Sequence, residues 1–313
     1  MLLVSPCTCG TVYFAATQHK SMSMKKKILV TGATGNVGRE VVRFLAERHA
    51  HSTEVYAAVT DVDKSRGALP WPDVKLVRFD FQDIATIRAA FAQVESVFLL
   101  RPPQISDVDK YFRPVVDALR QTNIKHVAFL SLQGAENNTV TPHHKIEKLL
   151  IASGLAYTFL RPSFFMQNLT TTHRREIAER NEIYIPAGRG KTNFVDARDL
   201  GEVAALVLAE GERHHRKAYE LTGDRAYDYF EIADIISRAT GKRVVYKHPS
   251  AVAFLWRRWA KEKTPLAFAL VMVALYTVSR LGKAAGYSPE LKQLLGRNPT
   301  SFEQFANDFR DVW

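Results

Sequence analysis

A short apolar run, Ile28-Leu29-Val30, leads into three glycines at fixed spacing, Gly32-Ala33-Thr34-Gly35-Asn36-Val37-Gly38, and then into a helical pattern over 36–48. This junction constrains the fold more than any other feature of the chain. Gly32 lets the backbone turn sharply off a strand, Gly35 lets it approach a bound group, and Gly38 lets helix and strand pack closely. The free N–H groups at such a helix start favour an anion, and a pyrophosphate is the expected one. A second strand-like run at 55–59 follows at crossover distance. That context separates a dinucleotide-binding turn from an ordinary glycine-rich one.

The alternation continues. Strand-like runs at 74–79, 94–100, 126–130 and 156–160 are separated by helix-period stretches at 84–91, 108–121 and 142–153. Fully apolar strands between amphipathic helices predict an α/β fold with a parallel sheet covered on both faces. Right-handed crossovers then favour the doubly wound, Rossmann-type topology. Thr141, Pro142 and Ser153-Gly154 punctuate the 142–153 helix. Beyond residue 160 strands become sparse. Asp196 opens a helix with Asp199 three residues on, 227–240 reads as another closed by Gly241, and the chain reads helical from about 249. The expected organisation is a disordered extension at 1–24, an NAD(P)-binding core at 25–160, and a small, mostly helical C-terminal substrate lobe at 161–313, interleaved with the core.

Composition narrows the function. Lys and Arg outnumber Asp and Glu by 43 to 32, a formal +11, but the positives are spread and accompany no nucleic-acid-binding motif. A basic surface around an anionic cofactor is therefore expected, with no nucleic-acid partner. The two cysteines, Cys7 and Cys9, cannot staple a fold. Met1-Leu2-Leu3-Val4 is too short for a secretory core, so a cytoplasmic protein is expected. The apolar segment 265–278 falls short of the roughly 20 residues that span a bilayer; a buried helix of the lobe, and no membrane partner, is expected. His143-His144 and His214-His215 are adjacent pairs without further ligands, so no metal is expected. The protein reads as a monomer or homodimer acting on a small molecule.

The glycine spacing is Gly-x-x-Gly-x-x-Gly, not the Gly-x-Gly-x-x-Gly of most dehydrogenases. With it come, in order, Phe79-Asp80, Val97-Phe98-Leu99-Leu100, Val127-Ala128-Phe129-Leu130-Ser131, Ser153-Gly154-Leu155, Leu160-Arg161-Pro162, Phe194-Val195-Asp196 and Leu221-Thr222-Gly223. Through these the chain, from about Lys27 to its end, resembles the short-chain dehydrogenase/reductase superfamily. Within it the likeness is to the atypical NmrA-like branch, which includes quinone and triphenylmethane-dye reductases.

The resemblance implies a site in which Gly32, Thr34, Gly35, Asn36, Val37 and Gly38 cradle the pyrophosphate. Asp80, with Phe81, would lie against the adenine, and Leu100-Arg101 beside the nicotinamide-side ribose. Ser131 would stand near the nicotinamide, framed by Arg161-Pro162. Taken singly, Asp80 reads as a helix cap and Arg161 as an ion-pair partner. Asp61, at the end of the second strand, would hydrogen-bond an adenine ribose and disfavour a 2′-phosphate, while Arg39, Lys64 and Arg66 act the other way. NADP(H) or NAD(H) is expected, with a lean to NADP(H) from the family.

No tyrosine is followed four residues later by lysine, so the usual proton-transfer pair of the superfamily is missing. Its positions fall on Thr139 and His143. The NmrA-like branch carries a His-x-x-x-Glu pair resembling His143 and Glu147, which share a helix face. His143 is thus the candidate catalytic and cofactor-site residue, able to hydrogen-bond the ribose or supply a proton, with Glu147 orienting it. Phe164, Phe165 and Asn168 offer an apolar wall with an amide for the substrate, and Trp256, Trp259 and the 265–278 helix an opposing side. A quinone, dye or enone accepts hydride readily and mainly needs to be held with water excluded. The expected activity is hydride transfer from NAD(P)H to such an acceptor; the competing reading is a non-catalytic NAD(P)-sensing regulator.

Overall fold

A computed structural model describes residues 24–313; the expectation for the stretch before Met24 lies outside the described residues. The first half alternates strictly: β1 (Lys26–Val30), α1 (Asn36–Arg48), β2 (Thr53–Val59), α2 (Val62–Ser65), β3 (Lys75–Arg78), α3 (Ile84–Phe91), β4 (Ser96–Leu100), α4 (Val108–Arg120), β5 (His126–Leu130), α5 (Pro142–Ser153) and β6 (Tyr157–Pro162). Short strands and three helices follow: β7 (Phe164–Phe165), α6 (Arg174–Arg180), β8 (Glu182–Tyr184), β9 (Thr192–Val195), α7 (Ala197–Glu210), β10 (Lys217–Leu221), β11 (Ala226–Tyr227), α8 (Tyr229–Thr240) and β12 (Val245–Lys247). The chain ends in α9 (Ala251–Trp256), α10 (Leu266–Arg280), α11 (Glu290–Leu295) and α12 (Phe302–Asp308).

Seven strands form the main sheet in the order β10-β6-β5-β4-β1-β2-β3, every pairing parallel. The order reverses between β1 and β4, and the glycine turn leaves β1 there, where ligands of such sheets bind. Apolar side chains explain both faces. Val41, Val42 and Leu45 of α1 share one buried layer with Leu200, Val203 and Ala204 of α7. Phe91 of α3, Phe112 and Val115 of α4 and Leu150 of α5 form the other. Helix ends follow local chemistry: the Thr141 hydroxyl caps α5, Gly154 ends it at φ 78°, and the Asp228 and Glu231 side chains form a reciprocal cap on α8.

Two expectations need correction. Strand β10 was not visible in the sequence, because an edge strand exposed on one side lacks a continuous apolar run. Together with α7 it continues the sheet layer past residue 160. The apolar 265–278 helix is not buried. Helix α10 seats only one stripe, Ala269, Met272, Tyr276 and Ser279, while Val271 and Leu275 on its outer side are about half exposed, at 52% and 48%. Trp256 and Trp259 also stand on the outside. Hydrophobicity identified the helix, but nothing in the sequence says whether a partner covers its second face.

Candidate dinucleotide site

Thr31 ties the end of β1 to β4: its N–H and its hydroxyl both donate to the Phe98 carbonyl at 3.0 Å, and its hydroxyl accepts the Leu100 N–H at 2.8 Å. Gly32 then takes φ 63°, and its carbonyl accepts the Gly35 N–H at 2.9 Å. Helix α1 starts at Gly35 with no side-chain cap and no acid in its first turn. Its leading N–H groups are therefore left for an external acceptor. A Cβ on Gly38 would stand within 2.6 Å of the Gly32 carbonyl carbon. Thr34, Gly35 and Asn36 are exposed, whereas Val37 and Gly38 are packed inward. A groove of about 290 Å³ runs past this turn, with Thr34, Gly35, Asn36 and Arg39 on one wall and Gln167, Thr170 and Ala197 on the other. These features fit a dinucleotide pyrophosphate.

Gln167 had no signal in the sequence. Its buried amide donates to Asp196 Oδ1 and accepts the Ala197 N–H, both at 2.9 Å, so it fixes the start of α7 beside the glycine turn.

Further along the sheet edge, Leu100 packs on Gly32, so close that a Cβ there would meet the leucine Cδ2 at 3.2 Å. Arg101 donates from Nε toward His143 Nε2 at 3.5 Å and from Nη1 to the Ile105 carbonyl at 2.5 Å. Burial, with the Arg101 charge acting the same way, pushes His143 down to about 3. The imidazole is therefore neutral near pH 7, and an imidazolium proton donor there is not what the structure presents. Glu147 does not orient it. That carboxylate, 3% exposed, accepts the Ser131 hydroxyl at 2.6 Å and a bidentate pair from Arg161 at 3.0 and 2.7 Å. Arg161 also reaches Glu136 at 2.8 Å and Glu220 at 3.6 Å. Burial first, then the Glu136 charge, pushes the Glu220 carboxyl up to about 7. Glu136 and Glu220 were not anticipated; they reach Arg161 from other elements. Pro162 is buried at the end of β6, paired with Leu221.

On the adenine side, Asp61 caps α2 by accepting the Lys64 N–H at 3.1 Å and pairs with the Lys64 ammonium. Arg66 pairs with Asp63. Asp80 is not a helix cap: its Oδ1 closes a turn onto the Gln82 N–H at 2.9 Å, and Asp83 caps α3 instead. Phe81 packs its ring on Phe79 and Phe112. In sheet order, Asp80 and Phe81 follow β3, Asp61 follows β2, the glycine turn β1, Arg101 β4 and Ser131 β5. Four interstrand steps of ~4.8 Å make this a track roughly 19 Å long.

The substrate candidates divide. Phe164 turns toward Phe194 and the lobe core, Phe165 packs toward the α1–α7 layer, and Asn168 ends a short turn with its side chain half-buried. Adjacent strand residues point to opposite faces, so the two rings do not form one wall. Trp256 and Trp259 do not line the glycine groove. Among the described residues no group of three or more His, Cys, Asp or Glu is placed to hold a metal.

Residues 24–305 match the NmrA-like family. The chain belongs to that family. An NAD(P)H azoreductase of Xenophilus azovorans is 31% identical over 287 residues, covering 89% of this chain and 96% of the relative. Among solved structures, an NADPH-dependent quinone oxidoreductase of Escherichia coli complexed with NADPH superposes with a TM-score of 0.80 at 25% identity, over 90% of this chain and 99% of the other. The triphenylmethane reductase of Citrobacter sp. complexed with NADP(H) gives 0.77 at 26% identity, over 90% and 99%.

The two histidines held near 3, His143 and the fully enclosed His126, make acid stability a direct check on this packing. Both values lie below the ordinary 6.5, so unfolding takes up protons between the two limits. Stability is fully present above about pH 6.5 and falls toward pH 3 at about 1.4 kcal/mol per pH unit for each histidine. Denaturant titrations across this range are expected to show the slope, and a His126→Asn/His143→Asn double variant to flatten it. An unchanged slope would contradict the buried, neutral assignment.

Proposed function

We propose that this chain is an NAD(P)H-dependent oxidoreductase that passes hydride to a small conjugated acceptor, of the quinone, dye or enone class. The observation that carries this reading is the uncapped glycine turn at the switch point, followed along the same sheet edge by Leu100-Arg101, His143 and the Ser131–Glu147–Arg161 cluster. The relatives support it: they are named as NAD(P)H-dependent reductases of azo and quinone compounds and of triphenylmethane. NADP(H) is the favoured form, with a cytoplasmic setting.

When bound, the reduced nicotinamide supplies the hydride. The chain's own residues place and shield it. The first-turn N–H groups of α1 and the Gly32 turn hold the pyrophosphate. Asp61 and Asp80 face the adenosine end. Neutral His143 accepts from Arg101 on one ring nitrogen and so helps hold Arg101 at the end of β4, while its other ring nitrogen is buried without a partner among the described residues. Glu147 is saturated by Ser131 and Arg161, so it fixes the strand ends rather than moving a proton. An acceptor that yields a stabilised anion takes its proton from solvent, which suits a site without a Tyr-x-x-x-Lys pair.

Initial rates of NADPH and NADH oxidation across a panel of quinones and of azo and triphenylmethane dyes test the proposal. Saturable turnover is expected. A His143→Gln variant is expected to stay within about tenfold of the parent kcat, whereas loss of a general acid would cost about a hundredfold or more.

A further inference from the structure

Helix α10, fifteen residues long, carries no charged side chain before its last residue, Arg280. Phe268, Leu270, Val271, Leu275 and Val278 are all exposed along it, and Leu281, just beyond, is 65% exposed. The preceding helical arm adds Val252, Trp256 and Trp259, each more than half exposed. Contiguous exposed apolar surface of this kind marks a contact site.

The chain on either side of it is rich in cations and poor in acids. Lys261 and Lys263 lie just before α10, and Arg280 and Lys283 at its end. A notch lined by Gly188, Arg189, Gly190, Lys191, Arg280, Leu281 and Gly282 adds two more cations where α10 finishes. All six are exposed, and among the described residues none makes an ion pair. The one acid between 251 and 286, Glu262, is already held by Arg257, Arg258 and Arg180.

We infer that the α9–α10 face docks on an anionic lipid surface, its apolar side chains and tryptophans entering the headgroup layer while the six cations meet lipid phosphates. No helix among the described residues is long and apolar enough to cross a membrane, so the contact is peripheral. Interfacial helices combine such an apolar face with a basic surround, tryptophan favours the interface, and each cation near an anionic leaflet adds to the attraction. A second copy of the chain fits less well. Antiparallel pairing of α10 across a two-fold axis would set Lys261 and Lys263 beside the Arg280 and Lys283 of the copy, like charge against like. The inference does not depend on the reductase reading.

Vesicle flotation of the full chain tests it, with phosphatidylcholine alone and with phosphatidylcholine mixed with phosphatidylglycerol, at low and high salt. The expected result is flotation with anionic vesicles, reduced about tenfold or more by neutral lipid or high salt. A blue shift of tryptophan emission should accompany it. Val271→Glu/Leu275→Glu, both on the exposed side, is expected to abolish flotation with unchanged circular dichroism. Arg189→Glu/Arg280→Glu is expected to remove the preference for anionic lipid. Failure to float with any vesicle would overturn the inference. So would a stable dimer in solution that Val271→Glu/Leu275→Glu splits, which would assign the face to a second copy.

Discussion

Gly38→Ala is expected to weaken dinucleotide binding by about a hundredfold. A methyl at this position would fall within 2.6 Å of the Gly32 carbonyl carbon and closer still to its oxygen, and both are backbone atoms that cannot swing aside. Either α1 moves off β1 or the turn opens, and each displaces the N–H groups that face the pyrophosphate. Overpacking of this kind typically costs 1–3 kcal/mol. If the strain falls wholly on the bound state, NADPH affinity drops by about a hundredfold. Gly35→Ala separates fold from binding. Its nearest neighbour, the Gly32 oxygen, is 3.3 Å away, and its backbone is in an ordinary extended conformation, so the fold tolerates the methyl and the loss of affinity comes from the face turned to the pyrophosphate. Fluorescence titration with NADPH and urea unfolding of both variants check the pair, and an affinity equal to the parent's in Gly38→Ala would contradict the geometry of the turn.

Glu147→Leu is expected to cause the largest loss of stability near the site. The carboxylate is almost fully enclosed, and Arg161, whose side chain is only 13% exposed, donates two hydrogen bonds to it. Removing one partner of a buried pair leaves the other charge uncompensated, which typically costs 3–5 kcal/mol. Glu136 still pairs with Arg161 at 2.8 Å, so a loss of about 3 kcal/mol is expected. Replacing both partners, as Glu147→Leu/Arg161→Met, is expected to recover part of it, because the buried guanidinium is gone while Glu136 and Glu220, which lose their cation, are nearer to solvent. Urea unfolding of the two variants measures the difference. A single variant as stable as the parent would show that Arg161 finds its compensation elsewhere.

These two sites differ in how far the sequence disclosed them. The glycine turn is local: strand, turn and helix lie within twenty-three residues, and each glycine has one mechanical reason to be there. Strands β1 to β6 are similarly legible, because burial on both faces makes each a nearly unbroken apolar run. The Ser131–Glu147–Arg161 cluster joins three separate elements, and periodicity carries no information on which side chain meets which. His143 and Glu147 do share a face of α5, yet Glu147 points its carboxylate to the ends of β5 and β6 and leaves the imidazole to Arg101. The short strands β7 to β9, β11 and β12, two to four residues each, are too brief to express a period. Helix α10 is the opposite failure: its pattern was plain, but an apolar helix reads the same whether the fold or another surface covers it.

The nicotinamide end of this site is expected to perform hydride transfer rather than report cofactor state. The most direct measurement is a single turnover with NADPH deuterated at the transferring position, mixed with a quinone and followed by absorbance and by mass analysis of the product. The predicted result is deuterium carried into the reduced acceptor, or a transient that slows with the label where the new O–H exchanges with water. Stoichiometric, saturable NADPH binding with no oxidation by any quinone or dye would contradict the claim and leave the chain a dinucleotide-sensing protein.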